Sequence, residues 1–130
     1  MGGGAANFLP DSLILGVPEI DVQHQELFAK LAEIKAACIA ENCLPEASSE
    51  ALLGFLEEHF ATEERLAKTV AYDFSKHAAK HEVMITAIRL GVAKVKLGKK
   101  DVFGLLKFVE YWFERHIAEE DLPLSKVLSG

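Results

Sequence analysis

The sequence predicts an all-α protein, folded as an antiparallel up-down-up-down bundle of four helices. Apolar residues recur at steps of three and four along most of the chain, as they do on one face of a helix. No alternating pattern typical of a strand extends over more than a few residues. The connections between the four periodic stretches are short, at about residues 41–48, 71–74 and 98–101. Short connections place consecutive helices side by side in opposite directions.

The first two helices are predicted from their stripes and from the residues at their ends. The first begins near Pro18, because proline suits the opening turn of a helix, and ends before Asn42. The second is expected to have Ser48 or Ser49 as its N-cap. The first stripe consists of Ile20, His24, Leu27, Leu31, Ile34 and Cys38. The second consists of Leu52, Leu56, His59, Glu63, Leu66 and Val70.

The last two helices follow the same spacing. The third is expected to stop at Gly98, a usual C-cap residue. The fourth is expected to end at Pro123, because the residue before a proline avoids the α region. The third stripe consists of Phe74, His77, His81, Met84, Ile88, Val92 and Val95. The fourth consists of Val102, Leu105, Val109, Trp112 and His116.

Composition limits the class of protein. A chain of 130 residues corresponds to one domain, which we expect to span residues 9–130 behind a flexible lead-in at residues 1–8. Half of the residues are hydrophobic, too many for a disordered chain, yet no apolar stretch reaches the ~18 residues of a membrane span. The net charge of −6 argues against binding to nucleic acid or to an anionic membrane.

The first residues and the cysteines bear on the compartment. The N-terminus lacks the basic and apolar regions of a signal peptide, so a cytoplasmic location is expected. Cys38 is expected to be a small core residue and Cys43 a loop thiol. A disulfide between them is the less favoured alternative.

Ionisable residues interrupt the apolar stripes. All five histidines of the chain occupy stripe positions, together with a glutamate in the second helix. Such groups are costly to bury unless they are paired or bind a metal. Taken singly, His24 could be a hydrogen-bonded core residue, and His77 and His81 could form a lone zinc clamp. Because all of them converge on one bundle interior, the sequence favours a metal site.

Two carboxylates complete this set. His59 and Glu63 are four residues apart and share a helix face, whereas His116 and Asp121 are five apart, which an ideal α-helix would turn away from each other. A loosened last turn or a π-bulge would bring Asp121 back. Five imidazoles and two carboxylates exceed the ligands of one tetrahedral zinc. They suit two octahedral ions, iron or manganese, bridged by the carboxylates.

The residues at these positions resemble hemerythrin, and most closely the bacterial hemerythrins. The resemblance covers about residues 9–128 and rests on four segments. They are Gly16-Val-Pro-Glu-Ile-Asp21-Val-Gln-His24-Gln-Glu-Leu27-Phe, His59-Phe60-Ala-Thr-Glu63-Glu64, His77-x-x-x-His81 and Trp112-Phe-Glu-Arg-His116-Ile117-x-x-x-Asp121. The resemblance implies a four-helix bundle that binds O₂ reversibly at a non-haem site of two iron ions, joined by an oxo or hydroxo bridge.

The resemblance also implies a role for each residue of the site. His77, His81 and His116 would hold the coordinatively saturated iron, and His24 and His59 the iron with an open position. Glu63 and Asp121 would bridge the two. O₂ would be held as hydroperoxide at the open iron, in an apolar pocket for which plain core packing is the alternative interpretation. The pocket would be lined by Leu27, Phe60, Trp112, Phe113 and Ile117.

Three functions are compatible with such a site. The first is carriage or storage of O₂, with an oxidase as one partner. The second is an O₂ or redox sensor domain of a larger signalling protein, with an effector domain as partner. The third, an enzyme, is disfavoured because the stripes hold no general acid or base beyond the ligands. We therefore expect a non-enzymatic O₂-binding protein.

Overall fold

The computed structural model describes residues 9–129. Every regular element in that part of the chain is helical and none is a strand, so the predicted fold class is confirmed. The expected lead-in at residues 1–8 lies outside the described residues. Within the described range, none of the helices has the length and apolar character needed to cross a membrane.

Four long helical stretches form the bundle. The first three are α1 (Pro18–Glu41), α2 (Glu46–Thr69) and α3 (Ser75–Lys96), and a 3₁₀ turn at Asp11–Leu13 precedes them. The fourth stretch is a continuous helix in three parts, α4 (Val102–His116), a π segment (Ile117–Asp121) and α5 (Leu122–Ser129). α1 and α3 each pack against α2 and α4, so the four stripes face a common interior.

Residues with special backbone geometry mark several helix ends. α1 is followed by Asn42 with a φ of 55°, and α3 is followed two residues on by Gly98 with a φ of 71°. Glycine adopts this left-handed conformation without strain. The third helix thus stops just before Gly98, as the sequence predicts. Asp101 is the N-cap of α4, and its carboxylate accepts a hydrogen bond from the Gly104 N–H at 3.0 Å.

The predicted start of α2 was wrong. The helix begins at Glu46, because the carbonyl of Pro45 already accepts hydrogen bonds from the N–H groups of Ser48 and Ser49, at 3.1 and 3.3 Å. Ser49 is buried within the first turn, and its hydroxyl donates to the Glu46 carbonyl at 2.9 Å. Ser49 is therefore a residue of the first turn and not its cap, and its side chain bonds to a carbonyl of that same turn.

The predicted helix end at Pro123 was also wrong. The Leu122 N–H bonds to the Ile117 carbonyl, five residues back, and Pro123 follows as the second residue of α5. At this point the backbone changes from π to α spacing. A proline inside a helix lacks an N–H and crowds the carbonyl four residues back, and the wider π turn that precedes Pro123 relieves this crowding.

The stripes form one core in the middle of the bundle. All six residues of the first stripe are buried, while some members of the others are only half-buried, namely Leu66, Val70, Phe74, Val95, Val102 and Trp112. A Cβ added to Gly91 would lie 2.6 Å from Cδ1 of Leu105, so glycine lets α3 approach α4 closely. Cys38 is buried, Cys43 is exposed and both are free, as the favoured prediction had it.

Candidate metal centre

Seven ionisable side chains meet in the interior of the bundle. α1 provides one of them, and α2, α3 and the fourth helical stretch provide two each. All are buried, with at most 4% of each residue exposed. The structure thus brings together every ligand candidate of the sequence analysis: His24, His59, Glu63, His77, His81, His116 and Asp121.

The donor atoms of these side chains form two groups. In each group the atoms lie within 4.8 Å of one another. The three-histidine group consists of His77, His81 and His116 with the two carboxylates. The two-histidine group consists of His24 and His59 with the same two carboxylates. Glu63 and Asp121 are therefore shared between the groups.

Glu63 turns one carboxylate oxygen toward each group. Its Oε1 lies 3.5 Å from Nε2 of His77 and 3.3 Å from Nε2 of His81. Its Oε2 lies 3.7 Å from Nε2 of His24 and 3.5 Å from Nε2 of His59. A carboxylate in this position can bridge two cations, one beside each group of imidazoles.

Asp121 is placed in the same way by the π segment. Its Oδ1 lies 2.9 Å from Nε2 of His77 and 3.2 Å from Nε2 of His116. Its Oδ2 lies 3.0 Å from Nε2 of His24, in the other group. The wider π turn brings residues five apart to the same face of the helix. Of the two alternatives that the sequence left open for Asp121, the π-bulge is the one found.

Many of these buried atoms have no hydrogen-bond partner among the described residues. Both oxygens of Glu63 and of Asp121 are unpaired, as is Nε2 of His24 and of His59. The distances to neighbouring donors are short, but the alignment that a hydrogen bond requires is missing. Leaving so many polar atoms buried and unpaired is costly. A cation in each group would satisfy them, so the residues present fit a pair of metal ions.

The three imidazoles of the first group support the same interpretation. Nε2 of His116 lies 3.2 Å from Nε2 of His77 and 3.0 Å from Nε2 of His81. A neutral imidazole has one N–H and one acceptor nitrogen. Hydrogen bonds among the three rings therefore satisfy these three facing nitrogens only in part. A cation can accept all three lone pairs at once.

Burial and neighbouring charges set the protonation of the cluster. Burial, opposed in part by Glu63, lowers the pKa of His59 to about 4. At His24 and His77, the contacts with the two carboxylates outweigh burial and raise the pKa of each to about 9. Burial disfavours ionisation of Glu63 and Asp121, but the imidazole contacts outweigh it and lower the pKa of both. Both carboxylates are thus ionised, and a cation bound beside them would displace protons from His24 and His77.

The five residues predicted to line the pocket form two sets, three that are fully buried and two whose rings stack on histidines of the cluster. Leu27, Phe113 and Ile117 are fully buried. Phe60 stacks on His81 with ring centroids 3.7 Å apart, and Trp112 stacks on His116 at 4.4 Å. These two rings therefore cover imidazoles of the three-histidine group, and the assignment of all five residues to an O₂ pocket stays a prediction.

Sequence reasoning missed other side chains that contact the histidines. Phe74 stacks on His77 with ring centroids 4.4 Å apart. It precedes His77 by three residues in the third stripe, which is a signal that could have identified it. Gln23 lies on α1 and reaches His59 on α2, where its Oε1 is 2.7 Å from Nδ1. No spacing within one helix indicates that contact, because it joins two helices.

A four-helix bundle with a buried cage of imidazoles and shared carboxylates belongs to the class of cation-binding helical bundles. The family model described as "Hemerythrin HHE cation binding domain" matches residues 15–127. The chain therefore belongs to the hemerythrin family of cation-binding domains. Comparisons with curated proteins and with solved structures found no match.

Proposed function

We propose that the protein binds O₂ reversibly at a pair of iron ions and serves to carry or store it. The observation that carries the proposal is the position of the two shared carboxylates. Each turns one oxygen to the three-histidine group and the other to the two-histidine group. This arrangement supports two adjacent cations better than one.

The donor count of the two groups supports iron with one open position. The three-histidine group offers five protein donors and the two-histidine group offers four. With one small oxygen ligand shared between two six-coordinate ions, the first group is complete and the second has one free position. Mixed imidazole and carboxylate donors at such sites suit iron or manganese. Two ferrous ions supply the two electrons needed for reversible binding of O₂.

The side chains of this protein contribute binding, charge balance and exclusion of water. His24 and His59 form the less crowded group, beside which O₂ would enter. The two carboxylates offset part of the cationic charge without adding the larger negative charge of a carboxylate-rich site. Leu27 and Ile117 have no exposed surface, which supports a dry environment next to the ligands.

The set of buried acids and imidazoles favours a binding protein over an enzyme. Among the described residues, the buried acids and imidazoles are the seven members of the cluster itself. With all seven acting as ligands, none of these is left to serve as a general acid or base. We accordingly propose a non-enzymatic role.

Reversibility of O₂ uptake tests this function. The iron-loaded protein is reduced without air, mixed with O₂ in a stopped-flow instrument and then purged with argon. We expect a visible absorption band that appears on mixing, persists for minutes or longer and disappears on purging. Irreversible oxidation within seconds would contradict carriage and favour the O₂ or redox sensor. Absence of any response to O₂ would contradict both.

A further inference from the structure

Two hydrogen bonds connect α1 and α2 beside the two-histidine group, and a third within α2 supports them. Oε1 of Gln23 lies 2.7 Å from Nδ1 of His59, and its Nε2 donates to Oγ1 of Thr62 at 3.1 Å. The Thr62 hydroxyl donates in turn to the backbone carbonyl of Glu58 at 3.1 Å. Every polar atom of the Gln23 amide group is therefore engaged.

The direction of each bond follows from the donors available. The Thr62 hydroxyl has a single hydrogen, which the Glu58 carbonyl takes, so toward Gln23 its oxygen acts as an acceptor. The amide nitrogen of Gln23 must then face Thr62, and its oxygen must face His59. An amide oxygen only accepts hydrogen bonds, so Nδ1 of His59 carries the proton. The lone pair of the neutral ring is left on Nε2, the atom that faces Glu63 at 3.5 Å.

His59 differs in this respect from other imidazoles of the cluster. Nδ1 of His24, of His77 and of His116 is buried without a hydrogen-bond partner among the residues described. The two-histidine group therefore has one ring held from behind by a side chain of a neighbouring helix. Such a hydrogen bond fixes the tautomer and the orientation of a metal-binding imidazole.

We propose that Gln23, held in place by Thr62, is a positioning residue that fixes His59 in the tautomer needed to bind a cation. Its effect is confined to the two-histidine group, which has two imidazoles and so depends heavily on each. The inference rests on the cation pair of the proposed function, and it requires no binding of O₂.

Titration of the full-length chain with Co²⁺ tests this role. The wild type is expected to bind two ions in separate steps, the tighter at the three-histidine group. Gln23→Leu removes the acceptor and should weaken the second step alone by about 10- to 100-fold, as loss of such a partner does elsewhere. Thr62→Val leaves the amide free to rotate and should weaken the same step by less. Gln23→Glu keeps an acceptor for Nδ1–H and should restore affinity.

Thr69→Val is the matched control, because Thr69 is an exposed residue of α2 whose hydroxyl bonds to the Leu66 carbonyl. It should leave both steps unchanged. Equal weakening of both steps in Gln23→Leu, or no weakening, would overturn the inference, as would failure of Gln23→Glu to restore the second step. A wild type that binds a single Co²⁺ would overturn it together with the proposed function. Two bound Co²⁺ ions, together with an iron-loaded protein that does not take up O₂, would overturn only the proposed function.

Discussion

At the scale of single residues, aromatic rings pack against the imidazoles from outside the cluster. Phe60 covers His81, and Phe74 covers His77. These contacts restrict the rotation of rings whose nitrogen atoms face the carboxylates. The positions of His77 and His81 are therefore determined both by their helix and by a neighbouring ring, which limits how far this part of the site can rearrange when a ligand is lost.

Replacing His81 by alanine should remove iron and stability together. The change leaves a void under Phe60 and takes away one neighbour of Glu63 Oε1. We expect the free energy of unfolding to fall by about 2–4 kcal/mol, and the iron content to drop to one ion or fewer. Thermal or urea unfolding with metal analysis measures both.

Cys43→Ser is the control for this variant, because Cys43 is exposed and lies in the connection between α1 and α2. It should change neither quantity. If His81→Ala lost its iron but were as stable as the wild type, the assignment of His81 as a buried ligand would be wrong.

Trp112→Ala should speed oxidation of the reduced protein by O₂ without removing iron. Trp112 is half-buried and stacks on His116, so its loss opens a path for water to that ligand. Tyr111→Ala is the matched control, because Tyr111 is a 59% exposed neighbour. We expect severalfold faster conversion to the oxidised form for Trp112→Ala alone, followed by absorption. Equal rates in the two variants would mean that Trp112 serves only as packing.

At the scale of elements, the π segment sets the position of one of the two shared carboxylates, Asp121. It places Asp121 on the face of His116 although five residues separate them. In a regular α-helix, a separation of four residues gives nearly the same direction. The extra residue within the π segment therefore has no ligand role of its own.

Deleting Ala118 should convert the π segment to α-helix while Asp121 keeps its direction. Metal content should then stay at the wild-type level. Inserting an alanine after Ala118 should instead turn Asp121 away from the cluster by about 100° and lose metal. Ala118→Ser keeps the length and is the control. Equal loss of metal in the deletion and the insertion would contradict this view of the segment.

At the scale of the whole molecule, the periodic stripes were sufficient to predict the bundle and the gathering of six of the ionisable residues, whereas Asp121 depends on the π segment. A period of 3.6 residues fixes which side chains share a face, so residues such as His24 and Glu63 had to point inward. Helix ends were less predictable. Pro45 overrode the serine caps expected for α2, and Pro123 was tolerated by the change from π to α spacing.

Contacts between helices could not be predicted from the sequence. The bond of Gln23 to His59 and the stacking of Phe60 on His81 both depend on how two helices are placed against each other. Their distances along the chain carry no signal for such placement. The bridging role of Glu63 and Asp121 was expected from the number of ligands and from the family resemblance, but which oxygen faces which imidazole is displayed only by the assembled bundle.

The number and identity of the bound metal ions test the central claim most directly. The full chain is produced with iron available, purified without air and analysed for iron, manganese and zinc against protein concentration. The positions of Glu63 and Asp121 between the two groups lead us to expect about two iron ions per chain. A single zinc ion that persists after iron loading would contradict the account.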